Sequence, residues 1–311
     1  MQTQLSIVGS VVLSDLGVIR ARGADAAKFL QGQLTNDVMS LDLSRSRLAG
    51  FCSAKGRLQA SFLIWKAAPD EFLLACSASL LGPTLKRLSM FVMRAQCKLS
   101  DASDELTLRG VVGDSARTLI GETPVWGKRD AASGTLLRLP DAVGLPRAIL
   151  ASTSADGATD APAISLDQWR WLDVQSGVPT IEATTVDQFV PQMLNYEVIG
   201  GVDFQKGCYP GQEVVARSHY RGTVKRRMFL FETDAAASPG QEVFHSEDTE
   251  QPAGMVVNAA AMPDRAGSVA LVALKLAALE RGSVHLGSGA GAVLHRVALP
   301  YPLPADAELP G

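Results

Sequence analysis

The stretch Lys206-Gly207-Cys208-Tyr209-Pro210-Gly211-Gln212-Glu213 decides how this 311-residue chain is read. Glycine reaches backbone angles closed to other residues and proline fixes one, so this run predicts a tightly shaped loop. A single thiol sits inside it, with Lys206 before it and Arg217, Arg221, Lys225, Arg226 and Arg227 after it. Neighbouring cations favour the thiolate, which makes Lys206 and Arg217 the candidates for activating Cys208. The same residues also suit a plain structural turn holding one cysteine, or a solvated basic face.

Outward from the loop, composition sets bounds. Hydrophobic residues make up 47% and charged residues 20%, so the chain can bury two or three ordinary globular cores. A net charge of −3 argues against a protein that coats nucleic acid and leaves room for a local basic patch. Cys52, Cys76, Cys97 and Cys208 are widely spaced with no C-x-x-C, so neither a disulfide framework nor a closed zinc site is implied. The N-terminal residues show no leader pattern, and no apolar run approaches the roughly 20 residues of a membrane helix. A cytoplasmic, membrane-free monomer is the expectation.

Local patterns place the elements. Residues 5–22 read as two short strands. Asp25 caps a helix with Ala26, Phe29 and Leu30 on one side, which Gly32 stops. Gln31 and Gln33 flank that glycine and are candidates to face a ligand. Residues 57–66 and 71–76 form a hairpin, followed by a helix over 79–92 capped by Ser79, with Leu81, Leu85, Leu88 and Val92 as its buried stripe. Strands near 95–100, 105–112, 135–139 and 147–151 and a short helix near 115–120 complete a ferredoxin-like unit. The small polar residues 152–162 read as a linker. Ser165 and Gln168 have the spacing of a capping box, and Ile164 and Trp169 that of a hydrophobic staple. That helix runs through Gln175 to Gly177, a left-handed terminator. Short β-like runs from 228 onward predict a barrel or sandwich. If 217–227 were a strand, 217, 221, 225 and 227 would share one face.

The loop, together with Val214-Val215-Ala216-Arg217 and Arg221-Gly222, resembles the signature of the YgfZ family, folate-binding relatives of GcvT, the aminomethyltransferase of the glycine cleavage system. The segments Phe29 to Val38, Ala54-Lys55-Gly56-Arg57 and Phe189-Val190-Pro191-Gln192 fit the same family. The resemblance implies an α+β fold with a discontinuous folate-binding domain (1–45 and 163–227). It also implies an inserted ferredoxin-like domain (46–151) and a C-terminal β-barrel (228–311). Cys208 is implied as the functional thiol, at a position where GcvT-type enzymes carry an acid.

For the cofactor, the resemblance implies tetrahydrofolate or a derivative. Trp169 falls where the pattern places an aromatic near the folate, and an indole can stack on a pterin. Relatives carry Glu where this chain has Gln175, and Glu197 is the candidate to supply the missing carboxylate. Arg221 and its basic neighbours suit the folate's glutamate tail, or RNA phosphates. GcvT-type transferases carry acids in the strand where this chain reads Ala60-Ser61, and without them aminomethyl transfer is disfavoured. The implied function is an accessory one, supporting iron–sulfur enzymes or their assembly factors and affecting tRNA modification indirectly. A folate-dependent one-carbon transferase is the alternative.

Overall fold

The computed structural model describes residues 7–153, 160–220 and 224–304, with the side chains of 219 and 220 left aside. The expected linker therefore lies largely outside the described residues. The first half of the chain forms β1 (Gly9–Val12), β2 (Leu16–Arg22), α1 (Ala26–Gln31), β3 (Ser46–Cys52), β4 (Leu58–Ala68), β5 (Glu71–Ser77), α2 (Ala78–Val92), β6 (Lys98–Asp101), β7 (Thr107–Val112), α3 (Asp114–Ile120), β8 (Lys128–Ala131), β9 (Gly134–Ala142) and β10 (Leu145–Ser152). Then follow α4 (Leu166–Gln175), a 3-10 turn (Pro191–Leu194), α5 (Gln212–Tyr220), β11 (Arg226–Thr233), β12 (Glu242–His245), β13 (Asp248–Ala261), β14 (Ser268–Lys275), β15 (Val284–Leu286) and β16 (Val293–Val297). No helix among the described residues is long and apolar enough to cross a membrane.

Two compact units result. The first comprises Met1–Leu30, Val38–Arg47 and Phe62–Leu172; the second Gln31–Asp37, Leu48–Ser61 and Asp173–Gly311. This division departs from the expected domain boundaries. The reason is strand pairing: β1 pairs with β7, and β2 with both β5 and β6, so strands from the first 45 residues are built into sheets with later ones.

In the first unit β1-β7-β10-β9-β8 form one antiparallel sheet, and β5, β2 and β6 lie side by side in another. α2 buries Leu80, Thr84 and Leu88, while Leu81 and Leu85 of the expected stripe are half-buried. Its N-cap is Ser77, not Ser79; the two hydroxyls hydrogen bond to each other at 2.9 Å, and Ser77 makes no side-chain cap bond. α4 starts as expected: the Ser165 N–H donates to Gln168 Oε1 at 2.9 Å and the Gln168 N–H donates to Ser165 Oγ at 3.1 Å. Its Trp169 lies against Gly110 of β7, where an added Cβ would come within 2.6 Å of the indole. The Arg147 guanidinium sits 5.2 Å from the ring centroid.

In the second unit β11-β14-β13-β12-β15-β16 close into a barrel. β16 completes it by pairing with both β11 and β15. Alternation along the strands sends Phe229, Phe231, Val256, Val272 and Leu274 into a common core.

The Gly110 contact yields a prediction. Gly110→Ala forces the Trp169 indole to move and is expected to lower stability by about 1–3 kcal/mol, the usual cost of overpacking. In the Trp169→Leu background the same change should cost much less. A double-mutant cycle in urea showing no coupling would refute the contact.

Candidate functional site

The site is built by side chains that alternate in depth along the Cys208 loop. Lys206 is buried, Cys208 exposed and Tyr209 buried. The Lys206 ammonium donates to the carbonyls of Gln31 and Leu34, the latter at 2.6 Å, and lies 4.9 Å from the Tyr209 ring centroid. Burial pulls its pKa down to about 8, opposed by the charges of Asp37, Asp203 and Cys208. Asp203 Oδ1 accepts the backbone N–H groups of Gln205 and Lys206 and shapes the approach.

The segment Leu34-Thr35-Asn36 clamps the same loop. Thr35 Oγ1 donates to Gly201 O at 2.6 Å and accepts the Gly50 N–H at 2.7 Å. Asn36 Nδ2 donates to the carbonyls of Leu48 and Gly200, each at 2.7 Å. On the other side of the thiol, Gly211 has φ 78° and lies against the turn at Gly56. A Cβ on Gly211 would meet Ser53 O at 2.3 Å and Gly56 Cα at 2.6 Å. Two motifs far apart in sequence thus touch backbone to backbone, which only glycine permits.

Cys208 opens onto a groove of about 480 Å³ lined also by Ala54, Tyr209, Gln212 and Val214. It is the one exposed cysteine of the four. Burial pushes Cys52 and Cys76 up to about 12 and raises Cys97 as well, so those thiols are poor nucleophiles.

Among the described residues the basic run is divided between α5, which holds Arg217, and β11, which holds Arg226 and Arg227, so its members have different roles. Arg217 pairs with Glu213 one helical turn back at 2.8 Å, and Lys225 is exposed. Arg227 is buried and paired with Glu197. Arg221 lies outside the described residues.

Glu197 and Arg227 belong to a buried polar core. Gln192 Nε2 donates to Val215 O at 2.6 Å, and Asn195 Nδ2 donates to Met228 O at 2.8 Å. The Tyr301 hydroxyl donates to Gly177 O at 2.9 Å and accepts from Asn195 Nδ2 at 3.4 Å. Burial and the Glu197 charge push Tyr301 up to about 12. Tyr301 thereby links the end of α4, where Gln175 is half-buried, to the Glu197 segment. Glu197 Oε2, Gln192 Oε1, Asn195 Oδ1 and Arg227 Nε are buried here without a hydrogen-bond partner.

The other expected residues fall as follows. Gln31 contributes its carbonyl to Lys206, and Gln33 keeps Oε1 buried without a partner. Trp169 is 2% exposed, so its ring presents no open face. Sequence reasoning missed Thr35, Asn36, Tyr209 and Tyr301. The first three stood inside quoted motifs, but nothing in their type announces a clamp.

Comparisons with known proteins agree with this architecture. The family model described as the GCVT N-terminal domain matches residues 5–129. Similar curated proteins include tRNA-modifying protein YgfZ from Shigella boydii serotype 4 and from Escherichia coli O127:H6. Each is 32% identical over 240 residues, covering 74% of this chain and 73% of the relative. Among solved structures, glycine cleavage system aminomethyltransferase T from Bartonella henselae matches with a TM-score of 0.74. The match covers 96% of this chain and 87% of that one, at 16% identity, a likeness of fold.

Lys206 supplies a second prediction. Lys206→Met keeps the apolar stem but strands two carbonyls, and is expected to cost about 2–4 kcal/mol at pH 7. The folded pKa of about 8 lies below the ordinary 10.5, so between them the unfolded chain holds the extra proton. Wild-type stability relative to the variant should therefore be level below about pH 8 and rise from there toward pH 10.5. Urea unfolding across that range showing a falling difference would contradict the lowered pKa of Lys206.

Proposed function

This chain belongs to the YgfZ family, and we propose on that footing that it is a tetrahydrofolate-binding accessory protein for the assembly or repair of iron–sulfur enzymes, with tRNA modification as the downstream effect. The observation that carries the reading is the single exposed thiol, Cys208, held outward at an open groove by buried Lys206 and Tyr209. A thiol so placed can ligate a soft metal transiently or meet a partner's sulfur. No three His, Cys, Asp or Glu side chains among the described residues gather as a metal site. The remaining ligands would therefore come from a client protein.

The polar core fits a folate. An amino-pyrimidinone edge offers N–H donors, and Glu197 Oε2, Gln192 Oε1 and Asn195 Oδ1 are buried acceptors in need of one. Glu197 supplies the carboxylate that Gln175 lacks. Gln33 and Gln175 are further contacts, and Arg221 is the cation for the glutamate tail. Tetrahydrofolate, when bound, would supply an amine nitrogen able to accept one-carbon by-products.

The one-carbon transferase reading is weaker. Ala60 is fully buried, and Ser61 Oγ is occupied in accepting the Ile181 N–H at 2.8 Å, so neither can replace the transferase's acid. Direct RNA binding loses its platform because the basic run is split between α5, β11 and a buried ion pair.

The test is a calorimetric tetrahydrofolate titration. Wild type and Cys208→Ala should bind alike, and Glu197→Gln should bind at least tenfold more weakly, with melting temperatures recorded because the Arg227 pair is altered. In a strain lacking its own YgfZ, Cys208→Ala should fail to restore function. Full rescue by that variant would end the working-thiol reading. Absence of saturable binding at millimolar ligand would end the folate reading.

A further inference from the structure

Large apolar side chains are exposed at scattered points of the described surface, with one concentration. Met90, Phe91 and Met93, at the C-terminal end of α2, are 71%, 43% and 88% exposed, the first and last being the most exposed of the large hydrophobics. The rest of α2 does not share this character, since Leu80, Thr84 and Leu88 hold it to its own unit. The helix stops at Met93, whose φ of 40° lies in the left-handed region that favours glycine. The chain therefore leaves the helix with this side chain projecting into solvent.

Cations surround the three. Lys86 is four residues before Met90 and Arg87 four before Phe91, a spacing that puts each pair on one helical face. Arg94 follows Met93, and Lys98 begins β6. All four cations are exposed, and none makes an ion pair among the described residues. No Asp or Glu occurs between residues 84 and 98. Asp25 contacts this segment, its Oδ2 accepting the Gln96 N–H at 2.7 Å.

We propose that this helix end is a docking surface for an acidic protein segment that carries apolar side chains. The unpaired cations specify the partner's charge. The exposed Met and Phe side chains specify an apolar counterpart, which a phosphate backbone does not offer, and methionine adapts its shape to what it meets. A bilayer would need a longer apolar face lying in the interface plane, whereas here the face is confined to the last turn. The surface belongs to the first unit.

The test places a photoreactive amino acid at Met93 of the full chain in bacterial cells, with the exposed position Met39 as reference, and maps cross-linked material by mass spectrometry. The expected product is a protein segment with more acids than bases and several apolar residues. A labelled synthetic copy of that segment should bind the purified chain, measured by fluorescence anisotropy. Binding should weaken at least tenfold in Met90→Ser/Met93→Ser, at least tenfold in Arg87→Glu/Arg94→Glu, and further with added salt. These are surface changes, and unaltered thermal unfolding of each variant confirms the fold. The proposal is overturned by cross-links to RNA or lipid, by a yield no higher than at position 39, by a segment without excess acid, or by binding that the substitutions leave unchanged.

Discussion

The ammonium of Lys206, taken out of water and bonded to two backbone carbonyls, is the interaction on which the thiol loop depends. Burying an unpaired ammonium costs several kcal/mol, and each hydrogen bond to a charged group returns about 1.5–3. The two bonds offset only part of that cost, since burial still pulls the Lys206 pKa down to about 8. They tie Gln31 and Leu34 to the loop. Thr35 and Asn36, the next two residues, secure the same loop through neutral bonds to Gly201 and Gly200. Cys208 is exposed because the residues two before and one after it are committed inward.

Charge sign was legible in the sequence; depth was not. Lys206 read as an activator of the thiol or part of a solvated face, and Arg227 as one of a basic cluster, yet both are buried with specific partners. Depth depends on what packs above a residue, and the residues above Lys206 come from a segment more than 170 positions earlier. Local patterns did better. The β4–β5 hairpin, the capping box of α4 and the barrel strands rest on spacings within a few residues, and each is present. β3 escaped notice because all but one of its residues are buried, which removes the alternation that marks a strand. β8 reads Lys-Arg-Asp-Ala and escaped for the opposite reason, since its polar residues carry no apolar face.

The family resemblance was a good guide to the fold, while the depth of each side chain is a separate matter. Trp169 illustrates the difference. A ring available for stacking needs one open face, and this one is against Gly110, beside Arg147, at 2% exposure. The polar core around Glu197 satisfies the opposite criterion. Its donors and acceptors outnumber their partners, and buried polar atoms in that state call for a ligand or water. Tyr301, from the C-terminal tail, is what joins that core to the end of α4.

Selectivity among the cysteines follows from burial. A thiol whose pKa is pushed to about 12 is almost never a thiolate at neutral pH, which silences Cys52 and Cys76. Cys97 is half-buried and raised in the same direction. Whatever thiol chemistry this fold performs must therefore begin at Cys208, and its neighbours act by geometry. Lys206 and Tyr209 fix the backbone, Gly211 lets it lie on Gly56, and Arg217 spends its charge on Glu213. Of the two cations that suggested an activated thiolate, Lys206 holds the loop in place and Arg217 is paired on the exposed surface of α5.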